Sequence, residues 1–199
     1  MSVFDQVEKN LIERGYTVKV FATGAEAAAY LDKEIDGVTV GIGGSATVRD
    51  IGLYELLEKH NQVIWHWKQE PGPARIAAMN TDVYLCSANA LAESGEMVNI
   101  DGAGNRVAAT LFGHKKVYFL IDKNKLVPSF HQAVDRARNV AAPKRALQMN
   151  AKTPCAAKAD KCYDCKSPER ICKALTVLWG KPGGVEHMEL ILVDQELGY

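Results

Sequence analysis

No net charge, no apolar run of bilayer length and no nucleotide-binding signature mark this chain, and each lack removes a class of function. The 199 residues carry 24 basic and 24 acidic side chains. That balance gives no general attraction to nucleic acid or to an anionic membrane surface. No apolar stretch approaches the ~20 residues of a spanning helix, and the polar start MSVFDQVEKN has no signal-peptide core. A cytoplasmic protein is expected. The glycine turn near residue 43 fits neither G-x-G-x-x-G nor G-x-x-x-x-G-K-[ST], and there is no G-x-S-x-G nucleophile motif. Four of the five cysteines fall between residues 155 and 172, which is a local cluster and not a disulfide framework. Length and the 47% hydrophobic content suit one soluble domain over residues 1–199 with a sizeable core.

What is present is organised around residues 38–50, VTVGIGGSATVRD. A β-branched run enters a turn with Gly41, Gly43 and Gly44. Ser45 and Thr47 follow, and Val48, Ile51, Leu53, Leu56 and Leu57 then set a helical pattern over 47–59. Glycines allow positive φ and close approach to a ligand, Ser45 can cap the helix, and a helix start favours an anion. Two readings stand: a phosphate or carboxylate cradle at Gly43, Gly44, Ser45 and Thr47, or a tight turn that needs glycine only for geometry. Around it, Phe4, Val7, Leu11 and Ile12 recur as on a helix, and YTVKVFA (16–22) alternates as a strand. Thr23 with Glu26 has capping-box spacing ahead of a helix to Glu34. QVIWHW (62–67), DVYLC (82–86), residues 97–100 and KVYFLI (116–121) read as strands, the last buried on both faces. Helices are expected at 75–80, after the second glycine turn (Asp101–Asn105) and at 129–139, with Pro143 as a boundary or new first turn. Residues 174–179 and 188–194, around PGG at 182–184, read as a terminal hairpin. Strands alternating with helices predict a doubly wound, mostly parallel α/β fold, with that hairpin and a Cys-containing loop at about 150–173.

Chemistry-bearing residues fall into three groups. Cys155, Cys162, Cys165 and Cys172 stand as C-x6-C-x2-C-x6-C. Four soft thiolates suit zinc or an iron–sulfur cluster; the alternative is reduced thiols or reversible disulfides in a loop. Gly95, Gly102, Gly104 and Asn105 accompany the second group of Gly-containing turns, which the fold can bring beside the first at the carboxyl ends of the strands. Glu93 and Asp101 are the candidate carboxylates, with capping or solvation as the competing role. Arg49 and Arg75 could pair with a bound carboxylate or form surface salt bridges, and His66 could line the site or be structural. Cys86, ending an apolar strand, reads as a buried small hydrophobe.

Taken together, GGSATVRDIGLYELL, TDVYLCSANALAESGEMVNIDGAGNRVAATLFGHKKVYFLIDKNKLV and AVDRARNVAAPKRA resemble the lactate-utilisation (LUD) domain family. The tail TPCAAKADKCYDCKSPERICKALTVL resembles its stand-alone four-cysteine branch. The likeness runs from about residue 38 to the end. It implies the fold of the sugar-phosphate isomerase and CoA-transferase-like superfamily, a parallel sheet with helices on both faces. It also implies an accessory or redox-associated part in lactate or 2-hydroxy-acid oxidation, beside iron–sulfur oxidoreductase subunits. A small anionic ligand (carboxylate, phosphate or acyl-CoA type) would sit at the glycine turns, and a 4Fe-4S cluster or structural zinc on the four cysteines. Some superfamily relatives place a nucleophilic glutamate where this chain has Glu93, although ESGEM departs from their S-E-N-G context. An isomerase or acyl-transferase using Glu93, or a non-catalytic regulatory subunit, are the alternatives.

Overall fold

The structure, a computed structural model, describes residues 3–199; Met1 and Ser2 of the polar start lie outside the described residues. The strands are β1 (Thr17–Phe21), β2 (Thr39–Ile42), β3 (Gln62–Trp65), β4 (Val83–Cys86), β5 (Ala90–Ala92), β6 (Met97–Asp101), β7 (Lys116–Asp122), β8 (Leu126–Val127), β9 (Ala174–Leu178) and β10 (His187–Val193). The α-helices are α1 (Asp5–Glu13), α2 (Gly24–Glu34), α3 (Ala46–Asp50), α4 (Leu53–Leu57), α5 (Pro71–Ala77), α6 (Asn105–Ala109), α7 (Phe130–Arg136), α8 (Ala142–Gln148) and α9 (Pro154–Lys158).

Six strands form an all-parallel sheet in the order β1-β10-β7-β4-β2-β3. Its central strands bury both faces, so they are near-continuous apolar runs, and alternate residues enter opposite cores. Val117, Phe119, Ile121, Leu190 and Leu192 pack with Phe4, which precedes α1, and with Val7 and Leu11 of α1. Tyr118, Leu120, Ile191 and Val193 pack with Leu31 of α2, Val48 of α3 and Leu53 and Leu57 of α4. This is the doubly wound α/β fold that the strand–helix alternation predicts.

The second sheet, β8-β5-β6-β9, overturns one expectation. Residues 174–179 and 188–194 are not a hairpin. β9 runs antiparallel to β6, whereas β10 lies between β1 and β7 in the large sheet. Burial explains the separation. Six of the seven residues of β10 are buried, as a central parallel strand demands, while β9 is exposed at its start and suits a sheet edge. The intervening turn carries the chain from one sheet to the other.

Three helical boundaries also move. The expected helix over 47–59 divides at Gly52, whose φ of +66° only glycine adopts readily. α5 starts at Pro71, earlier than the helix expected at 75–80, because proline is tolerated in a first turn. The expected helix at 129–139 continues through a π-helical segment, Ala137–Ala141, into α8. Pro143 has no N–H to offer, and the wider turn just before it re-aims the residues that follow.

Candidate functional site

In open parallel sheets a crevice opens where successive connections leave in opposite directions. Here that point lies between β2 and β4: the chain leaves β2 for β3 on one side and β4 for β7 on the other. A cavity of about 410 Å³ lies there. Gly44 and Ala46 follow β2, His66 follows β3 and Asn89 follows β4; all line it. Its other walls come from Asp101, Gly102 and Asn105 beside α6, Arg145 of α8 and residues 168–171 of the cysteine loop.

The cavity is rich in arginine. Arg75 projects from α5, and its buried Nε has no hydrogen-bond partner among the described residues. A buried, unpaired guanidinium nitrogen is costly unless something accepts from it. Arg145 lies over the Trp67 ring, 4.6 Å from its centroid, with one terminal nitrogen donating to Gln148 Oε1 at 2.5 Å. Burial, with Arg75 and Arg145 nearby, lowers the His66 pKa to about 4, so the imidazole is neutral at pH 7. Arg106, by contrast, is committed. It donates to the carbonyls of Ser87 (3.0 Å) and Ile100 (2.7 Å) and to Asn99 Oδ1 (2.5 Å), tying β4 to β6. The acids are committed as well: Asp101 accepts from the N–H groups of Gly104 (3.0 Å) and Val107 (3.2 Å), and Glu169 from that of Lys152 (2.7 Å). The uncompensated character of the cavity is therefore cationic.

Gly44, Gly102 and Asn105 line this cavity together, as do Arg75, Asp101 and His66. Gly43 lies just behind, and its carbonyl accepts from Trp65 Nε1 at 3.1 Å. None of Gly41, Gly43 and Gly44 has a positive φ. Glycine is required at 41 and 43 for closeness instead. A Cβ on Gly41 would lie 2.7 Å from the Ala78 carbonyl oxygen, and one on Gly43 2.9 Å from Tyr84 Oη. Ser45 caps α3, accepting from Val48 N–H at 3.2 Å. Gly104, with φ of +87°, caps α6.

Thr47 faces elsewhere. Its hydroxyl donates to Asp122 Oδ1 (2.7 Å) and accepts from Lys125 Nζ (2.6 Å). Lys125 also reaches Ser87 Oγ (2.6 Å) and Asp122 Oδ1 (2.8 Å). Burial lowers the Lys125 pKa, against the opposing pull of Asp122. This buried network ties β4 and β7 to the start of α3 below the cavity floor, and it engages the hydroxyl expected to touch an anion.

Glu93 and Gly95 sit in the β5–β6 turn, outside the cavity lining. Glu93 is exposed; its N–H donates to the Val127 carbonyl and its carbonyl accepts from Asn10 Nδ2. Gly95 lies against Arg14 with φ of +99°. Arg49 pairs with its neighbour Asp50 at the surface (2.7 Å). Cys86 is fully buried, and burial pushes its thiol pKa up to about 12, far from a nucleophile's range.

The four remaining cysteines line one small cavity with Pro143, Ala146 and Ile171. Cys162 Sγ accepts from Asp164 N–H (3.3 Å) and approaches Arg138 (3.8 Å); Cys155 Sγ is 3.3 Å from Thr153 Oγ1. Burial raises the Cys172 thiol pKa, opposed by Arg170. Thiols with N–H donors and apolar walls are the chemistry of a soft-metal site. Their grouping is looser than a bound ion requires: among the described residues no three His, Cys, Asp or Glu side chains are gathered as ligands.

Comparison with known proteins adds the family. The model of the LUD domain matches residues 4–193. The chain belongs to the LUD-domain family. A crystal structure of a DUF162 family protein from Deinococcus radiodurans is similar in fold, with a TM-score of 0.56 and 16% identity over 94% of each chain. No curated protein matches the chain. Among the described residues of this LUD-domain protein, no helix is long and apolar enough to cross a membrane.

Arg145 and residues 168–171 escaped sequence reasoning. They come from separate elements, and no spacing announces their meeting. Asp122 and Lys125 did leave a signal: charges placed directly after a continuous apolar strand.

Proposed function

We propose that this LUD-domain protein binds a small anionic ligand in the arginine-lined cavity and serves a role associated with lactate or 2-hydroxy-acid utilisation. Family membership supports the association with lactate utilisation. The observation that carries the ligand class is Arg75, whose buried Nε has no acceptor among the described residues. A carboxylate or phosphate oxygen supplies one, in the charge-assisted geometry that guanidinium favours. Arg145 provides a second guanidinium on the same cavity, and neutral His66 adds a further polar group.

The test is calorimetric titration of inorganic phosphate, pyruvate and L-lactate into the wild-type chain and Arg75→Ala. A hydrogen bond to a charged group is worth about 1.5–3 kcal/mol. The variant should therefore bind the preferred anion roughly 10- to 150-fold more weakly. Equal affinity in the two proteins refutes the assignment.

The second part of the proposal is a metal centre on Cys155, Cys162, Cys165 and Cys172. It is supported by the donor set and by the cavity the four side chains share. Such a centre would supply either a redox couple or a structural clamp for the loop. Metal analysis and visible absorption of protein purified without oxygen distinguish iron–sulfur from zinc. The double variant Cys162→Ser/Cys165→Ser should lose the metal; unchanged metal content refutes this part.

A further inference from the structure

We infer that the cysteine loop and the anion cavity form one linked unit, with Arg170 as the positioning residue between them. The inference rests on the anion cavity proposed above and adds its regulation.

The contacts are specific. Arg170 Nε donates to the Cys172 carbonyl and a terminal nitrogen to the Cys165 carbonyl, each at 2.8 Å. Its other terminal nitrogen pairs with Asp164 at 3.0 Å. One side chain thus fastens three positions of the loop. The same residue lines the anion cavity, the cysteine cavity and a cavity of about 170 Å³ that adjoins both. Cys162 and Cys172 line that middle cavity with Arg138 and Lys173.

The loop is also a wall of the anion cavity. The Lys173 N–H donates to the Asp101 carbonyl at 2.9 Å. The Ile171 carbonyl passes so close to Gly102 that a Cβ there would lie 2.7 Å from it. An anion in the cavity attracts Arg170 and favours the ordered wall; a loop held in place through its cysteines presents Arg170 to the anion. Linkage makes the two effects equal: whatever the ordered loop contributes to anion affinity, the anion returns as protection of the loop.

Inorganic phosphate serves as the probe on the full chain, purified under reducing conditions. Iodoacetamide labelling of Cys162 and Cys172, read by mass spectrometry, reports loop opening, with buried Cys86 as the control for global unfolding. Saturating phosphate should slow labelling at least fivefold, and prior alkylation should weaken phosphate binding. Arg170→Gln should lose both effects. Arg170→Lys keeps the charge but not the fork that spans two carbonyls; it should lose the protection and, with it, at least fivefold in phosphate affinity, whereas wild-type affinity in this variant would overturn the linkage. Phosphate binding that depends on Arg75 but leaves labelling unchanged overturns the linkage and spares the anion cavity. No phosphate binding by the wild-type chain overturns both.

Discussion

Replacing Lys125 with methionine probes the buried network beneath the site. Methionine keeps most of the apolar stem and removes the ammonium, so packing changes little and the charge is lost. The wild-type ammonium reaches Asp122 Oδ1 at 2.8 Å and the hydroxyls of Thr47 and Ser87 at 2.6 Å. Asp122 has no solvent exposure, and its Oδ2 already lacks a donor among the described residues. Without Lys125, Asp122 Oδ1 retains, among the described residues, the Thr47 hydroxyl at 2.7 Å. Breaking a buried pair on one side costs about 3–5 kcal/mol, because the other charge stays behind. With a urea m-value of about 2 kcal/mol/M for a chain of this size, the midpoint should fall by roughly 1.5–2.5 M. The double variant Lys125→Met/Asp122→Asn removes both charges and should recover most of the loss. A midpoint shift below about 0.5 M for the single variant, or a double variant no more stable than the single, would show that the pair is not an ion pair held against burial.

Two further outcomes follow from the site's geometry. Gly43→Ala places a methyl 2.9 Å from Tyr84 Oη and 3.0 Å from Arg106 Cγ and should lose about 1–3 kcal/mol in urea unfolding; Gly44→Ala meets nothing nearer than 3.5 Å and should lose markedly less, and equal losses would contradict the close-approach account. His66 titrates near pH 4 in the folded chain and near 6.5 when unfolded, so the unfolded state binds more protons across that window and stability falls as the pH drops through it. His66→Gln should flatten the stability–pH curve there by roughly 3 kcal/mol in total, and an unchanged slope in chemical denaturation between pH 6.5 and 4 would refute the assignment.

Local pattern alone determined much of this protein. The apolar run KVYFLI is the strand buried on both faces that its β-branched and aromatic content suggests, and Thr23 with Glu26 forms the capping box its spacing announces. The strand–glycine turn–helix at Val38–Asp50 was legible because β-branched residues, close-packed glycines and a capping serine act within a few residues of one another. The family resemblance was legible too, since an ordered set of motifs survives along the chain. What tertiary structure decided is partnership over distance. PGG between two apolar segments has the local signature of a hairpin, yet the deeper burial of β10 sends it to the large sheet and leaves β9 at an edge. Thr47 sits at the turn as expected, but Asp122 and Lys125, some 75 residues away, take its hydroxyl. Arg75 and Arg145 converge only because α5 and the re-aimed α8 reach the same crevice. Short-range sterics and capping are written in neighbouring residues; which charges meet, and which remain free for a ligand, depends on how the layers pack.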